Sequence, residues 1–200
     1  MDVRLGDIRI KSIYKGETPI PGIQIGSQLW HGSEGHIISA GVDIGKVRYN
    51  GTIGAKEIIL VSSGGKWYEP ESVGADARVS VLSGGSVNSV FVSHFFFRVD
   101  GGRAYNVEQT TGQTSVYNGG IIDSFVYNSA GYFHVSSGGT AYNGIVKANN
   151  FNVYNKGVVS NITVSSGGIM KVSSGGTALA VTSQAGAVIK IQNGGYIEYT

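Results

Sequence analysis

Apolar and polar residues alternate along this chain in short runs, and each run stops at glycine, asparagine or serine. Ser124-Phe125-Val126-Tyr127, Tyr132-Phe133-His134-Val135, Asn161-Ile162-Thr163-Val164 and Val188-Ile189-Lys190-Ile191 are four examples. Their period of two and their content of β-branched and aromatic residues predict strands. Apolar residues do not recur at helical spacing over any window of about ten residues, which excludes helix as the main element.

The punctuation between the strands repeats as well. VSSGG or a close variant stands at Val61–Gly65, Val81–Gly85, Val116–Gly120, Val135–Gly139, Val164–Gly168 and Val172–Gly176. With the second glycine, or the residue in its place, taken as the bend, the corners are Gly102, Gly112, Gly120, Gly131, Gly139, Asn150, Gly157, Gly168, Gly176, Gly186 and Gly195. A long arm alternates with a short one, and a pair of arms spans about 19 residues, the size of a solenoid rung.

Two short strands cannot enclose a core alone. A rung shields its apolar side chains only when other rungs lie on both sides of it. Stacking at about 4.8 Å lets each strand pair in parallel with its equivalent above and buries continuous columns of Val, Ile and Phe. The predicted fold is therefore all-β: a parallel β-helix, or β-solenoid, of about 19-residue rungs. Each corner is expected to need a positive φ in a confined place, which glycine supplies cheaply and Asn150 tolerates. The 32 glycines in 200 residues far exceed the ordinary share of about 7%. A hydrophobic fraction of 41% and eleven tyrosines are nevertheless too much apolar surface for a flexible linker.

The opening differs from the rest. Residues 1–55 read as an attachment and capping segment, and residues 56–200 as the repeat domain. Ile8–Gly16 and Ile20–Trp30 are two strand-like units joined through Pro19 and Pro21, an arrangement suited to an edge strand. A cap is physically required, because the end of a stack exposes unpaired strand edges. Met1–Asp7 carries charges where an apolar leader would begin, so no leader is expected there. No run approaches the roughly 20 apolar residues of a membrane span, and no membrane insertion is expected.

Charge and candidate chemistry narrow the function. A net charge of +2 with scattered lysines gives no basic field for nucleic acid. The absence of cysteine rules out disulfides and thiolate metal sites. His31 and His36 flank Glu34 in a loop-like stretch while His94 and His134 stand apart, so neither a metal nor another cofactor is expected. Glycosidase chemistry needs two carboxylates about 5–9.5 Å apart. Glu108 and Asp123 are the one conceivable pair, but solvated carboxylates beside turns are the favoured reading, and no catalytic residue or enzymatic activity is assigned.

Surface recognition remains. In His94-Phe95-Phe96-Phe97, three successive aromatics must place at least one ring outward on a two-faced strand. Tyr105, Tyr117, Tyr127, Tyr142 and Tyr154, each followed by asparagine, occupy comparable places and could form an outward ladder, with Tyr117, Tyr127, Tyr142 and Tyr154 as the candidates for ligand contact. The competing and favoured reading is rung stabilisation, with Asn at the turn and Tyr covering the next rung. The apolar run Phe95–Phe97 also suggests several copies packed together, a homotrimer being the expected form.

The words SSGGTAYNGIV (Ser136–Val146) and SSGGTALAV (Ser173–Val181) resemble the 19-residue repeats of AIDA-type autotransporter adhesin passenger domains, and the resemblance covers residues 56–200. It implies a β-helical stalk on a bacterial surface and, by analogy, O-glycosylation at Ser62, Ser136, Ser165 and Ser173. The opening IxxIYxG unit and the following IxIGxQLW unit are similar to N-terminal regions of bacteriophage and prophage tail proteins. Together the two resemblances imply a tail fibre or tail-tip component, located on the virion. Residues 1–55 would join other tail proteins, and the solenoid would attach to the host surface, with a host glycan as a candidate partner. The alternatives are an adhesin passenger fragment at the cell surface and a polysaccharide-degrading tailspike.

Overall fold

A computed structural model describes residues 58–61, 65–68, 73–128, 130–148 and 150–200, together with the backbone of five strands before residue 45. Those five are β1 (Val3–Leu5), β2 (Ile8–Lys15), β3 (Thr18–Pro19), β4 (Glu34–Ile38) and β5 (Asp43–Ile44). Then follow β6 (Ile58–Val61) and β7 (Lys66–Tyr68), β8 (Arg78–Leu82) and β9 (Ser86–Val92), β10 (Phe96–Asp100) and β11 (Arg103–Gln109), and β12 (Gln113–Tyr117) and β13 (Ile121–Tyr127). The remaining pairs are β14 (Tyr132–Val135) and β15 (Thr140–Val146), β16 (Phe151–Val153) and β17 (Val158–Val164), β18 (Ile169–Val172) and β19 (Thr177–Ser183), and β20 (Val188–Ile191) and β21 (Tyr196–Tyr199).

Each pair is one coil of a parallel β-solenoid. From β6 onward the even-numbered strands stack into a first sheet and the odd-numbered ones into a second, and the chain crosses between sheets at each corner. Within the opening segment β2 and β4 extend the first sheet in parallel with β6, while β1 pairs antiparallel with β2. The period is set by register. Arg103 lies beside Ile121, Ile121 beside Thr140 and Thr140 beside Val158, steps of 18, 19 and 18 residues. The predicted rung and the alternation of short and long arms are therefore present, with strands of seven residues on the second sheet facing shorter ones on the first.

The columns of side chains that this register creates are the core. On the first sheet Val61, Val81, Val99, Val116, Val135, Val153 and Val172 align and are fully buried. β-Branched residues suit this position, because a parallel sheet covered on its inner face rewards stiff side chains that fill the space between rungs. Beside them Phe97, Thr114, Phe133, Phe151 and Met170 form a second buried column. Phe125 crosses from the opposite sheet into an aromatic cluster, with ring centroids 4.7 Å from Phe133 and 5.5 Å from Phe151. Its ring fits because the next residue in its own column is Gly144, where any Cβ would collide with the ring. Burying a side chain of this size contributes roughly 2–3 kcal/mol.

The corners divide the labour of the two glycines in a way the sequence pattern did not anticipate. The positive φ belongs to the first of each pair, such as Gly119 at 79° and Gly138 at 85°. The second has no such φ but no room either: a Cβ on Gly176 would lie 2.6 Å from the Val153 carbonyl oxygen of the rung before. At other corners the expected residue does carry the turn, with Gly112 at 79° and Asn150 at 67°, whereas at Gly157 it is the preceding Lys156, at 60°, that takes the positive φ. Corner backbones also bond from rung to rung, as when the Ser137 N–H donates to the Asn155 carbonyl at 2.9 Å.

Candidate functional site

Among the described residues the interior is filled, so the candidate surfaces are the two outer faces. On the second sheet each long strand from β9 to β19 contains one residue in the left-handed region: Ser89, Asn106, Ser124, Asn143, Asn161 and Ala180, with φ between 48° and 64°. Each stands four residues after the last glycine of its corner, as Asn106 does after Gly102 and Asn143 after Gly139. This kink resets the alternation, which gives patterns such as Val87, Val90 and Val92 buried with two outward residues between the first two. Asparagine tolerates the conformation and adds side-chain bonds along the axis. Asn106 Nδ2 donates to Asn88 Oδ1 at 3.1 Å, Asn143 Nδ2 to Asp123 Oδ1 at 2.8 Å and Asn161 Nδ2 to Asn143 Oδ1 at 2.7 Å. The asparagines after Tyr105 and Tyr142, expected at turns, are thus strand residues that form a ladder.

The aromatic candidates do not form one surface. Phe95, Phe97 and Tyr127 are core residues, exposed by 1%, 0% and 0%. Three aromatics in a row are accommodated because Phe95 sits at the bend entering β10 and Phe97 points inward, which leaves Phe96 as the one outward ring. The Arg78 guanidinium lies 6.0 Å from the Phe96 centroid. The Tyr127 hydroxyl donates to the Gly131 carbonyl at 2.7 Å, and burial, with Tyr132 nearby, pushes its pKa up to about 12. Tyr117 is half-buried on the first sheet, its pKa raised by burial and then by Asp100. Tyr154 is 39% exposed at the end of β16, while Tyr142 is half-buried on the second sheet beside Asp123. The spacings between these tyrosines do not match one full rung, so they are divided between the two sheets and between inner and outer faces.

The first sheet brings together a group that the sequence pattern left unmarked. Tyr132, exposed by 52%, and Tyr154 flank the His134 imidazole edge-to-face, with centroids 5.7 Å and 5.3 Å from it. Burial holds the His134 pKa below its usual value, and its Nε2 is enclosed without a hydrogen-bond partner. The signal in the sequence was the alternation Tyr132-Phe133-His134-Val135, which puts the phenylalanine and valine inside and the other two outside.

The carboxylates are on the other face. Asn128 Nδ2 donates to Glu108 at 2.7 Å, as Asn143 does to Asp123, and both acids project from the second sheet. They are three strand positions and one rung apart, so about 11 Å separates their backbones. No group of three or more His, Asp or Glu among the described residues is arranged to hold a metal ion. His31 and the side chains of Glu34 and His36 lie outside the described residues, as does Ser62. Ser136, Ser165 and Ser173 are half-buried at their corners, whereas the next residues, Ser137, Ser166 and Ser174, are exposed. No described helix is long and apolar enough to cross a membrane.

No family model matches the chain, and no curated protein matches it. Among solved structures it is similar to the TibC-catalyzed hyper-glycosylated TibA55-350 fragment, with a TM-score of 0.38 and 20% sequence identity over 85% of this chain and 82% of that one.

Proposed function

We propose that the chain is the rigid rod of a surface-attachment protein, with an outer face that contacts the target. The observation that carries this reading is the unbroken column of seven buried valines, which devotes the interior to stacking and leaves function to the exterior. A solenoid resists local opening because every inner rung is paired on both sides, and repetition along the axis lets weak contacts add by avidity.

The repeat words SSGGTAYNGIV and SSGGTALAV fall within the described rungs, so they support an adhesin-like stalk at a bacterial surface. The tail-fibre reading shares the same mechanical role and rests on residues 1–55, whose side chains lie outside the described residues. The apolar run that suggested a trimer is covered by the chain's own rungs at Phe95 and Phe97, so that reason for a trimer lapses. A catalytic role is not part of this proposal.

Attachment is tested by coupling the full chain to beads and counting beads captured by bacterial and host cell layers. Capture above that of beads bearing an unrelated β-solenoid is expected. Equal capture would remove the reading, and copurification of the chain with phage particles would move it from cell surface to virion.

A further inference from the structure

We propose, as a deepening that rests on the surface-attachment reading, that the outer face of the first sheet binds an acidic polysaccharide laid along the solenoid axis. Register places Arg98, Ser115, His134, Asn152, Lys171 and Lys190 in one column on the outer side of this sheet, with Arg98 and Lys190 exposed, Lys171 half-buried, and Asn152 buried with its amide donating to the Asn150 carbonyl. No carboxylate enters that column. Of the acids in strands from β6 onward only Asp100 is on this sheet, where the Asn118 amide donates to it at 3.0 Å, while Glu108, Asp123 and Glu198 belong to strands of the second sheet. A face with cations along its axis, and with Asp100 as the one acid among its strands from β6 onward, attracts an extended anion.

Aromatic platforms favour a polysaccharide over a duplex nucleic acid. Arg98 and Lys171 are four rungs apart, about 19 Å, and Lys190 is one rung beyond Lys171. His134 between them, its pKa lowered by burial, is not counted as a cation. Tyr132 and Tyr154 add what a sugar requires besides charge. Their part-exposed rings are fixed on either side of His134, so they offer stiff apolar platforms for the C–H faces of pyranose rings at little entropic cost.

The test measures binding of the full chain to heparin and to polygalacturonate, with neutral dextran and duplex DNA alongside. Both acidic polysaccharides should bind, and more weakly as salt rises, with no binding of dextran. Lys171→Glu combined with Lys190→Glu should weaken binding by about tenfold or more. Arg103→Glu, a reversal on the outer face of the second sheet, should change it by less than about twofold. Tyr132→Ala with Tyr154→Ala should weaken binding while leaving its salt dependence unchanged. Circular dichroism of each variant confirms that it is folded. Equal loss from Arg103→Glu, retention of dextran, or DNA bound as tightly as heparin would each overturn the proposal. Loss of polysaccharide binding with cell capture of beads intact removes this site alone, whereas failure of capture removes the attachment reading beneath it.

Discussion

At the scale of single residues, two adjacent glycines that look equivalent in the sequence are required for different reasons. Gly138 needs its left-handed backbone, with φ 85°, but a Cβ there would meet only the Gly119 nitrogen, at 3.8 Å. Gly138→Asn should therefore cost less than about 1 kcal/mol. Gly139 has ordinary φ but abuts the Val116 carbonyl, so Gly139→Ala should cost about 1–3 kcal/mol, read as a lower midpoint in urea unfolding. Gly144→Ala should be destabilising on the same scale by driving a methyl into the Phe125 ring, and Phe125→Leu in the same chain should recover part of the loss. A double-mutant cycle that showed simple additivity would contradict that contact. His134 supplies a pH dependence. Its pKa is lowered in the folded chain by burial, so the unfolded chain binds the proton first. The contribution of His134 is then fully present above about pH 6.5 and is lost as pH falls from there through the lowered folded value. The groups that face it are Tyr132 and Tyr154, with the Lys171 position two rungs along. The difference in melting temperature between the native chain and His134→Gln should accordingly change between pH 6.5 and the lowered value and be flat above it.

At the scale of the element, strands and corners were legible because glycine and β-branched residues report local backbone needs. Tyr132–Val135 and Val188–Ile191 have the same boundaries in the sequence pattern and in the structure. The kink inside each long strand escaped because its occupants are chemically mixed: serine, asparagine and alanine share only an offset of four from the corner. Sheet membership was equally hidden. Whether Tyr117 and Tyr142 share a ladder depends on which of two interleaved strand sets each joins, which local pattern cannot say. The scattered cations likewise become a column only when residues whole rungs apart are laid side by side, as Lys171 and Lys190 are. The kink offers a clear test, because Ala180 is held at φ 48° without the side-chain bonds available to asparagine. Ala180→Asn should relieve strain and extend the ladder from Asn161, raising stability by about 0.5–1 kcal/mol. An unchanged or lower melting temperature would mean that the left-handed kink is not a source of strain at this rung.

At the scale of the whole molecule, the chain is a one-dimensional stack whose stability is a sum of rung and neighbour terms. That makes the repeat itself removable. Val158 is in register with Thr177, so excising Val158–Gly176, 19 residues, joins Gly157 to Thr177 and preserves a glycine before a long strand. β15 would then lie against β19, with Ala141 beside Ala178 and Gly144 beside Val181, pairs that create no new crowding in the core. The product should be a folded rod shorter by about 4.8 Å, with unchanged far-ultraviolet circular dichroism per residue. Excising only about half a rung has the opposite consequence. Every later strand would be carried to the wrong sheet, the valine column would end at the cut, and the residues beyond it would become protease-sensitive. Cooperative unfolding of the full-rung deletion together with proteolysis of the half-rung one would establish that register between coils, rather than any single contact, is what the glycine corners protect. If both deletions behaved alike, the rungs would not be interchangeable units, and the rod would owe its stability to particular side-chain clusters such as Phe125, Phe133 and Phe151.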